Sequence, residues 1–224
     1  MKLKTPVFIV NFKTYKESTG KNALSLAKIC EKVAKKTGKE IVICVQPTDI
    51  KEISSKVSIP VFSQHIDGIE YGANTGHILP EAVLESKGAG SLLNHSEDQF
   101  EFEALKKASE RMKGLGLLRV ICANTPKKAE MIASLSPEFI AIEPPELIGT
   151  LVSVSKADPK VITDTVSLVK KINPNIKVLC GAGVATKDDV KKAIELGANG
   201  ILIATAVVKA KDQRKALLDF VSAF

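Results

Sequence analysis

Residues 177–204 read KVLCGAGVATKDDVKKAIELGANGILIA. A short apolar run, Lys177–Cys180, gives way to small residues and then to Thr186, a residue type suited to cap a helix. KDDVKKAIELG follows with helical spacing and ends in a glycine suited to a helix C-terminus. A second short apolar run, Gly200–Ala204, comes next. Strand, helix and strand in close succession is the unit that builds a parallel sheet with helices packed outside it.

The unit recurs from end to end. Short apolar runs stand at Val7–Asn11, Ile41–Val45, Pro60–Gln64, Ser91–Asn94, Leu118–Cys122, Phe139–Ile142, Lys177–Cys180 and Gly200–Ala204, eight in all. Between them lie helix candidates with readable starts. Ser96 with Gln99 has the spacing of a capping box ahead of FEFEALKKASERM, and Thr125-Pro126 and Asp158-Pro159 each put a capping residue before a proline at the first helical position. Eight such units predict closure into an α/β fold, a (β/α)8 barrel, as one domain over residues 1–224. No Pro/Ser/Gly-rich linker divides the chain. The competing architecture, an open doubly wound sheet, places a glycine-rich fingerprint after its first strand; here NFKTYKES follows, without a glycine cluster.

Composition narrows the function. Apolar residues make up 45% and charged residues 25% of the chain, ordinary for a soluble globular protein. No stretch approaches the roughly 20 apolar residues of a membrane span. The N-terminal apolar run is too short for a signal peptide and lacks a small-residue cleavage site. A cytoplasmic protein with no membrane role is the expectation. The net charge of +7 could point to nucleic acid, but the lysine pairs are dispersed and no aromatics interleave them, which reads as solvated helix faces. A mild positive field would still attract small anionic substrates. The four cysteines, Cys30, Cys44, Cys122 and Cys180, form no close pair, so no zinc or redox motif is expected; the three in strand-like runs, Cys44, Cys122 and Cys180, read as small buried hydrophobes.

In such a barrel the chemistry sits just past the C-terminal ends of the strands. The first strand ends Asn11-Phe12-Lys13, and alternation along the strand points the amide and the ammonium the same way. The fourth ends Asn94-His95-Ser96-Glu97, with His95 between a strand end and an expected helix start, where a positive imidazole is disfavoured. The sixth ends on Glu143, which Pro144 keeps out of the helical region, aiming a carboxylate into the barrel mouth. The seventh and eighth end Gly181-Ala182-Gly183 and Ala204-Thr205-Ala206, small residues that let backbone N–H groups approach an anion. Each has an ordinary alternative taken alone: a turn, a satisfied structural histidine, a surface glutamate. Together they form a constellation for moving a proton beside a carbonyl on a small phosphorylated molecule.

These residues resemble the triose-phosphate isomerase family, in particular its short archaeal branch. NFKTY (11–15), SQHID (63–67), NTGHILPEA (74–82), LLNHSE (92–97), AIEPPELIGT (141–150), VSKADP (154–159), VLCGAGV (178–184) and VVKAKD (207–212) carry the resemblance in order over nearly the whole chain. It implies a TIM barrel that interconverts D-glyceraldehyde 3-phosphate and dihydroxyacetone phosphate through an enediol, a step of glycolysis and gluconeogenesis. By the same resemblance Glu143 is the general base, His95 the neutral electrophile, Asn11 its assistant, Lys13 the charge steadying the enediolate, and Glu97 a supporting carboxylate near Lys13. Main-chain groups at Ile148, Gly149, Gly183, Ala204 and Thr205 are the implied phosphate cradle, and residues 144–150 a lid. Thr75 resembles the residue that family members insert beside a neighbouring subunit's site, implying a homo-oligomer, dimer or tetramer. No metal or cofactor is implied.

The chain departs from the pattern in places. Leu151 stands where a glycine is usual at the lid's C-terminal hinge, and leucine does not reach positive φ cheaply; Val152-Ser153 replaces Ile-Pro, and Ala204-Thr205-Ala206 replaces Ala-Ser-Gly. If the hinge requires positive φ, the barrel would bind phosphorylated sugars with impaired turnover. Another phosphate-handling barrel would need metal-binding histidines that the three isolated ones do not supply. A nucleic-acid module would show salt-sensitive retention on DNA, which is not expected.

Overall fold

The computed structural model describes residues 1–144 and 159–223. Eight strands form one closed barrel in chain order: β1 (Val7–Asn11), β2 (Glu40–Val45), β3 (Val61–Ser63), β4 (Gly90–Leu93), β5 (Leu118–Ala123), β6 (Phe139–Ile142), β7 (Lys177–Cys180) and β8 (Gly200–Ile203). Neighbours pair in parallel, and β1 closes on β8 with Val7 opposite Gly200. The expected runs all become strands, with ends shifted by one residue in five of the eight.

Both faces of each strand are buried, which is why the strands read as continuous apolar runs rather than as alternating ones. Val7, Ile9, Val42, Cys44, Leu92, Val120, Ala141 and Leu179 fill the barrel interior. Their neighbours Phe8, Val10, Ile41, Ile43, Ile121, Ile140 and Val178 pack outward against the helices. Arg119 also points outward from β5, between Leu118 and Val120. It is 2% exposed and is held by both Glu138 oxygens, the Ser109 hydroxyl and the carbonyls of Leu135 and Ser136.

Helix starts follow the sequence in two cases among the described residues; Asp158, expected to cap the helix after Pro159, lies outside them. Thr125 accepts from Lys128 N–H ahead of the helix Pro126–Ala133, and Thr186 forms a capping box with Asp189 at Lys187–Glu195. The Ser96–Gln99 box is not formed. The fourth helix begins only at Phe102, with Glu101 at its cap and no side-chain cap bond; residues 95–98 are instead a tight turn in which Asp98 N–H bonds the His95 carbonyl at 2.9 Å. All four cysteines are buried and free. Among the described residues, no helix is long and apolar enough to cross a membrane.

Candidate active site

Parallel strands bring all their C-terminal ends to one face. There a cavity of about 300 Å³ is lined by Asn11, Lys13, His95, Glu143, Gly183, Ala204 and Thr205. Seven of the expected site residues thus meet in one place. Glu97 stands behind them, its Oε1 2.6 Å from Lys13 Nζ. Ile148, Gly149 and Leu151 lie outside the described residues. Thr75 is exposed on the loop after β3 and is not part of this cavity.

Lys13 reaches the cavity by a different route from strand alternation. β1 ends at Asn11, and Lys13 sits beyond it at φ 51°. Asn11 Oδ1 accepts the Lys13 N–H at 3.0 Å, and Gln64 Nε2 donates to the Lys13 carbonyl at 3.0 Å and to that of Cys44 at 3.2 Å. A left-handed lysine costs energy and persists only where neighbours over-determine it; those bonds do so. Asn94, at φ 57°, bends the chain after β4 in the same way. Its amide donates to the Cys122 carbonyl at 2.8 Å and its Oδ1 accepts from Phe100 N–H at 3.0 Å.

That bend, not a helix start, presents His95. Its Nδ1 accepts the Glu97 N–H at 3.2 Å, so in the neutral ring Nε2 carries the hydrogen. Nε2 faces Glu143 Oε1 at 3.5 Å. Glu143 follows β6, its N–H still bonded to the Ala123 carbonyl at 2.8 Å. It is 4% exposed, and its Oε2 is buried with no hydrogen-bond partner among the described residues. Burial pushes its carboxyl above the usual range; His95, the Cys122 thiol, Lys13 and the Ser96 N–H pull it back without cancelling the shift. A carboxylate so placed is a strengthened base, opposite an N–H donor and near an ammonium.

Three supporting residues were not legible as site residues. Cys122, read as a plain core residue, approaches the Glu143 carboxylate, and its thiol is held well above the ordinary range by burial and then by that carboxylate. Gln64 props Lys13. Gly181, read as an anion contact, makes room for Glu143: a Cβ there would lie 2.6 Å from Glu143 Cγ and 3.1 Å from the Ile142 carbonyl. Gly183 adopts φ 66°, where glycine is favoured. Among the described residues no group of three or more His, Cys, Asp or Glu is arranged to hold a metal ion.

The family model for triosephosphate isomerase matches residues 6–224. The chain belongs to the triosephosphate isomerase family. The triosephosphate isomerase of Methanobacterium bryantii is 50% identical over 218 residues, covering 97% of this chain and 96% of that one. That of Methanothermus fervidus is 46% identical over 217 residues, covering 97% and 98%. The crystal structure of triosephosphate isomerase from Bartonella henselae covers 95% of this chain and 98% of its own, with a TM-score of 0.74 at 18% identity, a likeness of fold alone. Membership in the triosephosphate isomerase family makes the chain an isomerase, and its relatives at 42–50% identity are mostly from archaea.

Proposed function

We propose that the chain interconverts D-glyceraldehyde 3-phosphate and dihydroxyacetone phosphate by proton transfer through an enediol. The observation that carries this reading is the facing pair: a buried carboxylate with a raised pKa, Glu143, 3.5 Å from a histidine nitrogen whose hydrogen is assigned by its backbone partner. With a triose phosphate between them, Glu143 takes the proton from the carbon beside the carbonyl. His95 Nε2–H donates to the carbonyl oxygen as negative charge develops there, and Lys13 opposes that charge. Asn11 has its Oδ1 occupied by Lys13 N–H, which leaves Nδ2 as the donor for substrate. Glu143 then returns the proton to the neighbouring carbon while the two oxygens exchange theirs through His95. The reaction is an isomerisation, so atoms and electrons balance without an added redox partner. Backbone N–H groups at Gly183, Ala204 and Thr205, which line the same cavity, hold the phosphate.

The test is turnover of D-glyceraldehyde 3-phosphate followed through a dehydrogenase that consumes the ketone product. Glu143→Gln should lose at least about 10³-fold in kcat, since it removes the base itself, yet still bind a phosphorylated enediol mimic. Turnover near wild type in that variant would remove Glu143 from the role.

Two coarser inferences accompany this one. A homo-oligomer, dimer or tetramer, is supported by the loop carrying Thr75. Its base is closed by Asp67 N–H to the Ile78 carbonyl at 3.0 Å and Ile78 N–H to Asp67 Oδ2 at 2.6 Å, while Tyr71 beyond is 70% exposed. A single monomer mass in light scattering at micromolar concentration would contradict it. A cytoplasmic location accords with the family's soluble substrates.

A further inference from the structure

Lys209 lines the cavity described above, beside Ala204, Thr205, Ala206 and Ala210, yet the reaction just set out gives it no task. The two lysines at this site are held differently. Lys13 has its ammonium 2.6 Å from a Glu97 oxygen, so much of its charge is already answered. Lys209 has no carboxylate partner among the described residues. Its Nζ lies 4.3 Å from the centroid of the Tyr15 ring instead. An aromatic face attracts a cation without neutralising it and without occupying its N–H donors.

The platform itself is fixed at both ends. The Tyr15 carbonyl accepts from the Ser18 N–H at 3.0 Å and the Thr19 hydroxyl at 2.8 Å. The Tyr15 hydroxyl pairs with Thr205 Oγ1 at 3.1 Å. Because β1 and β8 are neighbours in the closed barrel, this ring joins the loop after the first strand to the loop after the eighth. Lys209 is tied to the same corner through its N–H, which bonds the Thr205 carbonyl at 3.0 Å. A long exposed lysine would ordinarily sample many rotamers. Here the Tyr15 ring restrains its head, and among the described residues the ammonium donates no hydrogen bond.

We propose that Lys209 is a substrate-binding residue for the phosphate dianion, and that Tyr15 is a positioning residue that holds its ammonium over the phosphate end of the cavity. This rests on the triose phosphate reading above. The phosphate end is where the small residues Gly183, Ala204 and Thr205 leave room beside Lys209.

The experiment has two arms. In the first, inorganic phosphate is titrated calorimetrically into wild type, Lys209→Gln, Lys209→Arg, Tyr15→Phe and Tyr15→Leu, a readout independent of turnover. Lys209→Gln should weaken phosphate binding about five- to tenfold, roughly 1–1.4 kcal/mol, a modest factor because the ammonium is exposed and screened. Lys209→Arg and Tyr15→Phe should retain most of the affinity, and Tyr15→Leu should lose part of it. In the second arm, kcat and KM are measured on D-glyceraldehyde 3-phosphate and on phosphate-free D-glyceraldehyde. The Lys209→Gln loss should fall on KM rather than kcat, and should be about five- to tenfold larger for the phosphorylated substrate. Unchanged phosphate affinity in Lys209→Gln, or equal losses on both substrates, overturns the proposal. A wild type that binds phosphate through Lys209 but fails to isomerise the triose phosphate would leave this binding role standing and sink the isomerase reading instead.

Discussion

Gly181→Ala tests the geometry around Glu143 most directly. A Cβ on residue 181 would stand 2.6 Å from Glu143 Cγ and 3.3 Å from Glu143 Oε1. Ordinary contact begins near 3.4 Å, so the Cγ must retreat by about 0.8 Å (3.4 − 2.6). It cannot do so by a distant flexible tip, because Cγ is the stem of the side chain, and the Ile142 carbonyl also lies 3.1 Å from the added Cβ. Gly181 is not at positive φ, so no backbone penalty confuses the result. A carboxylate displaced by about 1 Å loses on the order of 10²-fold in rate, or about 2.7 kcal/mol of transition-state stabilisation. Overpacking of this kind costs roughly 1–3 kcal/mol in stability, which leaves a folded barrel. The assay is the coupled turnover measurement beside calorimetric binding of inorganic phosphate. The expectation is a hundredfold fall in kcat with phosphate affinity intact. Turnover within about twofold of wild type in a folded variant would refute the argument that Gly181 exists to admit Glu143.

The remaining predictions concern charge. Burial holds the Glu143 carboxyl above its ordinary 4.5, so the acid limb of kcat/KM should lie above 4.5; a limb at or below it would remove the desolvated base. A raised folded pKa contributes stability below the unfolded value that is lost as pH rises through the folded one. Glu143→Gln should therefore melt above wild type at pH 7, with the gap closing toward pH 4. Arg119→Met should cost about 2–4 kcal/mol by urea unfolding, because it strands Glu138 and three further acceptors; the figure is moderated by Glu138 keeping 37% exposure. Burial raises the Glu138 carboxyl, but its bonds to Arg119 outweigh this and hold it below the usual range. That contribution is present above the unfolded pKa and should fade as pH falls through the folded one; an Arg119→Met penalty that does not shrink in acid would contradict this.

The barrel was legible because burial on both faces writes each strand as an unbroken apolar run, and because eight such runs separated by helical spacing admit few closures. Strand ends were less so: β4 was expected to reach Asn94 and stops at Leu93, since a left-handed residue leaves no trace in hydropathy. The side chains that do chemistry were legible from residue type at strand ends. Their supports were not. Cys122 looks like any core cysteine, Gln64 like any strand-end amide, and Gly181 like an anion contact. Each acts through a partner on a neighbouring strand, and a contact between strands is invisible to reading along the chain. The misread capping box shows the same limit, since Ser96 and Gln99 have the right spacing but the segment is committed to a different task.

That task explains why the segment is not helical. In the turn from His95 to Asp98 the Ser96 N–H faces the Glu143 carboxylate, the Glu97 N–H bonds His95 Nδ1, and the Glu97 carboxylate pairs with Lys13. Had a helix begun at residue 97, the Ser96 hydroxyl would have taken one of its first N–H groups and those donors would have pointed along the helix axis. Instead two consecutive backbone donors fan outward to two different side chains of the proposed mechanism, and the carboxylate between them reaches a third. The base, the electrophile and the ammonium are thus positioned by two consecutive residues, Ser96 and Glu97, so their substitutions should not add. A change that reshapes this turn disturbs all three together, and a double-mutant cycle between Glu97 and either His95 or Lys13 would show coupling well beyond the roughly 0.5 kcal/mol expected of independent sites.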